Sequence, residues 1–124
     1  MYRQLAAALL VSLAFTADAA PAGWIDPIKF DGSPAQKQAV LNFIRTSVRH
    51  EYCAILGQCS HTSLRMHEEE ELRAFKKLAA PKTDKTIFRQ VYKDYCTDIG
   101  DCSYATLELM YRIEVDTAEK TLEW

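Results

Sequence analysis

Four cysteines and one histidine-acid block are the residues here whose types and spacing could do chemistry. The cysteines fall as two pairs, Cys53 with Cys59 and Cys96 with Cys102, each inside a Tyr-Cys-x-x-x-Gly-x-Cys-Ser turn. Paired thiols can hold zinc, shuttle electrons or close a disulfide. Zinc knuckles space their cysteines by about two to four residues, and dithiol redox sites by about two. Five intervening residues suit neither, whereas an even cysteine count in a chain that leaves the reducing cytosol reads as structural disulfides. His67 to Glu71 reads His-Glu-Glu-Glu-Glu, the opening of a metalloprotease motif whose second histidine is replaced by Glu71. His67 and Glu71 could share one helical face, but no third ligand is evident, so a solvated acidic face near a helix N-terminus is expected. His50 and His61 flank the first turn and read as polar surface. No catalytic residue, metal ligand or cofactor is assigned: Ser60 and Ser103 are better explained as helix caps, and no glycine-rich phosphate loop occurs.

The elements that position these residues begin after an export signal. Arg3 precedes an apolar run from Leu5 to Phe15, and Ala17-Asp18-Ala19 offers small residues for cleavage before Ala20. The run is about half the length a membrane span needs, so no permanent anchor is expected. Removal of 1–19 leaves 20–124 as a single helical domain, and its modest core would profit from disulfides. The charges nearly balance, with 15 Lys and Arg against 17 Asp and Glu. The basic residues are scattered without an aromatic-basic groove pattern, which argues against a nucleic-acid partner.

Pro21, Gly23, Pro27 and Gly32 make an irregular arm, with Trp24, Ile25, Ile28 and Phe30 expected to pin it. Ser33, Pro34 and Gln36 spell a capped helix start with a capping box. Val40, Phe43, Ile44, Val48 and Tyr52 give that helix an apolar stripe, and Gly57 stops it. Ser60 caps a second helix with inner residues Leu64, Leu72, Phe75 and Leu78, ended by Ala80-Pro81. Thr83 or Asp84 starts a third, with Ile87, Val91 and Tyr95 inward, and Gly100 ends it. Ser103 caps a fourth, with the stripe Leu107, Met110, Tyr111, Val115, Ala118 and Leu122. The expected fold is all-α, with about four helices.

Sliding the chain by 43 residues lays Ile44 to Leu64 on Ile87 to Leu107 without a gap, and eight of the 21 positions are identical. The matches are the stripe, the glycine stop, the serine start and both cysteines. The fold is therefore two disulfide-stapled helical hairpins from an internal duplication, with units of about 33–80 and 83–122. Antiparallel helix ends approach closely at such a turn, which favours Cys53–Cys59 and Cys96–Cys102. The cross-repeat pairings, Cys53–Cys102 among them, stay open to sequence alone.

The export signal, the mature size, the helical pattern and the turns Tyr52-Cys53…Gly57-x-Cys59-Ser60 and Tyr95-Cys96…Gly100-x-Cys102-Ser103 resemble type VI secretion amidase immunity proteins. Those are small, exported, largely helical proteins, often disulfide-bearing and frequently dimeric. They plug the active-site cleft of a peptidoglycan-cleaving toxin in the periplasm. The resemblance implies a periplasmic, non-enzymatic module with a protein partner, an amidase toxin of that kind, and a homodimer as one form of assembly. A rigid loop loses little entropy on binding, so residues that differ between the two turns are the candidates for contact: Ile55 and Gln58 in one, Asp98 and Asp101 in the other. Leu56 and Ile99 are expected in the core. A small envelope chaperone is the alternative reading. A secreted hydrolase using His67, Glu71 or His50 is a third.

Overall fold

The computed structural model describes residues 20–124; the expected export signal, 1–19, lies outside the described residues. Four α-helices and no strand make up the described chain: α1 Pro34–Val48, α2 His61–Leu78, α3 Lys85–Val91 and α4 Tyr104–Ala118, preceded by a short 3-10 turn at Pro27–Lys29. The protein is all-α, and its two helical hairpins each carry a disulfide, Cys53–Cys59 and Cys96–Cys102. None of the described helices is long and apolar enough to cross a membrane.

Each helix starts where a short polar side chain can replace a missing intrahelical acceptor. Ser33, Ser60, Asp84 and Ser103 accept from the backbone N–H three residues on, at 3.2, 3.1, 3.0 and 3.3 Å. At α1 the expected capping box is rearranged. Gln36 Oε1 accepts from Asp31 N at 2.8 Å instead of from Ser33 N, which donates to Asp31 Oδ1 at 2.8 Å. Gly32, at φ +74°, bends the chain so that Asp31 supplies the acceptor Gln36 was expected to supply.

The stripe of α1 is buried at Val40, Ile44 and Val48 and packs on Phe75 and Ala74 of α2. A second cluster joins Leu78, Phe88, Val91, Cys96 and Leu107. Two aromatic residues outside the predicted stripes prove central. Phe88 and Tyr104 are both fully buried. Tyr104 meets Phe75 and Phe43 edge-on, with centroids 4.9 and 5.7 Å apart, and stacks on Trp24 at 5.7 Å. Its hydroxyl donates to Ile25 O at 2.8 Å and accepts from Ile25 N at 3.0 Å. Burial raises its phenol above the ordinary value. Trp24 Nε1 donates to Cys102 O at 3.1 Å, and Asp26 pairs with Arg89 at 2.7 Å. The arm is thus tied to the second repeat as well as to the core. The α4 stripe fades toward its end: Leu107 is buried, but Ala118 is exposed and Leu122 lies beyond the helix.

Candidate functional site at the stapled turns

Both helices that lead into the cysteine turns change winding before they end. The backbone widens from α to π over Arg49–Ile55 and again over Tyr92–Thr97, where sequence predicted ordinary helix to Leu56. π segments are rare and usually brief, so their recurrence at both turns marks the turn as one repeated structural unit. The closing bonds recur too. Gly57 N donates to Cys53 O and Gln58 N to Tyr52 O, at 3.1 and 2.6 Å; Gly100 N and Asp101 N do the same to Cys96 O and Tyr95 O, at 3.1 and 2.8 Å. The pattern is a Schellman closure widened by one residue. It needs a left-handed residue, and Gly57 and Gly100 supply φ +70° and +86°. A Cβ at either would meet nothing within 4 Å, so only backbone strain opposes a side chain there. Gly100→Ala is accordingly expected to cost about 1–2 kcal/mol, read as a lower urea midpoint with unchanged helicity; Gly100→Asn should cost less.

The staples cross the same positions, with Cα–Cα separations of 4.4 and 4.3 Å. Each bridge links the π-wound end of one helix to the residue before the next cap. What the turns present differs from expectation. Leu56 and Ile99 were expected in the core, yet they are 55 % and 70 % exposed, beside Ile55 at 64 %. The reason lies in the turn: its π-widened backbone carries the residue before the glycine past the packed face, so that it faces solvent. Gln58 is exposed. Asp98 is held by Lys93 Nζ at 2.9 Å. Asp101 is exposed but engaged at the start of α4, accepting from Ser103 N at 3.1 Å and from Thr106 Oγ1 at 3.0 Å. The turns therefore display aliphatic side chains on a polar frame.

The histidine-acid block is not a uniformly solvated face. Glu71 caps α4: its carboxylate accepts from Ser103 Oγ, from Tyr104 N at 2.8 Å and from Ala105 N at 3.2 Å. Burial, the largest influence, raises its carboxyl above the usual range against these three donors. His67 is mostly covered and stacks on Tyr52, with centroids 3.5 Å apart and planes at 11°. Its Nδ1 is buried without a hydrogen bond and lies 3.8 Å from the Glu70 carboxylate. Burial first, then Glu51, Glu70, Glu71 and Asp101, raise the Tyr52 phenol. No group of three or more His, Cys, Asp or Glu arranged to hold a metal occurs among the described residues. The missed signal was the offset: Glu71 has a counterpart 43 residues on at Glu114, which is exposed.

No protein-family model, no curated protein and no solved structure matches this chain.

Proposed function

We propose that this protein is a periplasmic protein-binding module, an inhibitor or immunity protein that blocks the active site of a cell-wall-degrading enzyme. The observation that carries this reading is the exposed triplet Ile55, Leu56 and Ile99 on two disulfide-closed turns. A large aliphatic side chain held out on a stapled turn loses little conformational freedom when buried by a partner. It has the character of an anchor that fills a pocket, with polar neighbours such as Gln58 and Asp98 forming a rim. Two disulfides fit an oxidising, exported setting, and the 1–19 leader would deliver the chain there. The Glu71 oxygens already serve α4, which favours a structural role for Glu71 over a part in the hydrolase alternative.

The test is direct. Residues 20–124 are immobilised and challenged with peptidoglycan amidases, above all one encoded beside the protein's own gene. Stoichiometric binding and loss of amidase activity are expected. Ile55→Asp and Ile99→Asp are each expected to weaken the complex by about tenfold or more without moving the unfolding midpoint. Broad, weak capture of unfolded clients with no inhibition would move the reading to an envelope chaperone.

A further inference from the structure

A second surface lies far from the stapled turns. The N-terminal half of α1 and the C-terminal half of α2 enclose an open apolar groove of about 500 Å³, floored by Phe30, Leu41, Leu72 and Phe75 and flanked by Lys37 and Lys76. Neither lysine has an ion-pair partner among the described residues. The chain also carries a segment of matching character. After α4 it runs Glu119-Lys120-Thr121-Leu122-Glu123-Trp124 without regular structure past Glu119. Leu122 and Trp124 are as open as side chains can be, at 102 % and 120 % of the reference exposure.

Groove and segment share one end of the molecule. Glu71 meets the start of α4, Lys77 pairs with Glu108, and the Asp84 backbone meets Tyr111. The two helices therefore run in the same direction, and α4 leaves the fold at the end where α2 stops and the groove opens. We infer that this groove receives the Leu122-Glu123-Trp124 segment of a second copy of the chain, with the exchange made reciprocally. The rings and aliphatic carbons of Leu122 and Trp124 cover the groove floor, and Glu123 lies between Lys37 and Lys76. Reciprocity follows from area. A buried tryptophan removes roughly 150–250 Å², so one tail falls short of a stable interface. Two tails seated in two grooves double that burial, toward the roughly 1,200 Å² at which such interfaces begin. A two-fold exchange also closes on itself, where one-way docking would propagate.

Sedimentation velocity on residues 20–124, with carbodiimide cross-linking of a mixed ¹⁴N/¹⁵N sample, tests this. The expected result is a dimer whose cross-links join Glu123 of one isotope to Lys37 or Lys76 of the other. Trp124→Ala, on a segment that contributes nothing to the core, should weaken the dimer by about thirtyfold. Leu41→Lys should do the same from the groove side. Mixing those two variants leaves one intact tail facing one intact groove, so the mixture should associate more tightly than either variant alone. A monomer at every concentration, a dimer indifferent to Trp124→Ala, cross-links confined to one isotope, or a mixture no tighter than its components would each overturn the inference.

Discussion

Removing both disulfides is expected to lower the unfolding free energy by about 4–5 kcal/mol, a third or more of the stability of a chain this size. Each bridge closes a loop with a sequence separation of six. Constraining the unfolded chain that way is worth about 2.4 kcal/mol per bridge on the chain-entropy model. A domain of this length has roughly 5–15 kcal/mol in total. Because the two loops are equal, the entropic part is equal, and any asymmetry between the bridges reports their native surroundings. Cys96 is buried in the second core cluster, and Cys102 O receives the Trp24 indole. Cys53 and Cys59 stand nearer the surface. Cys96→Ala with Cys102→Ser should therefore cost more than Cys53→Ser with Cys59→Ser, by about 1 kcal/mol. Urea unfolding of the two pairs and of the quadruple variant measures this. Equal midpoints for the two pairs would leave loop closure as the sole contribution.

The parts of the fold legible in sequence were those set by local chemistry. Serine and aspartate caps, glycine stops and the α1 stripe depend on residues within one or two turns. They appear where the spacing predicts them. The 43-residue repeat carried further, because identical turns demand identical closures, and both cysteine pairs closed within their own repeat. What sequence could not show depends on how one repeat sits on the other. Tyr104 matches His61 in the alignment, yet it is buried because Trp24, Phe43 and Phe75 converge on it from the arm, α1 and α2. Leu56 and Ile99 look like core residues by type, but the widened turn carries them past the last packed layer. The π winding itself has no compositional signal in Arg49–Ile55 or Tyr92–Thr97. At the candidate site the stapled scaffold was readable, whereas the side chains it presents were not, since exposure at a turn follows from backbone closure and not from residue type.

Glu71 carries that inter-repeat packing in one polar side chain, and Glu71→Ala is expected to cost about 3 kcal/mol. The carboxylate is the acceptor for the first two backbone N–H groups of α4 and for the Ser103 hydroxyl. Its removal leaves these donors partly buried, and each unsatisfied group costs about 1–3 kcal/mol, reduced where water can enter. Glu71→Gln keeps one carbonyl acceptor and the side-chain volume, but sets an NH2 group against the donor that the second oxygen served and loses the interaction of a charge with the α4 N-terminus, the latter worth about 0.3–1 kcal/mol. The pair also separates packing from titration. Burial holds the Glu71 carboxyl above its ordinary value, so between that value and the raised one the native state keeps a proton the unfolded state has released. Native protein then binds more protons, and the contribution of Glu71 to stability falls as pH rises through that window and is constant above it. Glu71→Gln cannot titrate, so the difference in unfolding free energy between the natural protein and this variant should shrink as pH rises through the window. Urea titrations at steps from about pH 3 to about pH 8, which bracket ordinary carboxylate ionisation, measure that difference directly. A difference that grew with pH would mean that the three donors outweigh burial and hold the carboxylate charged in the folded protein.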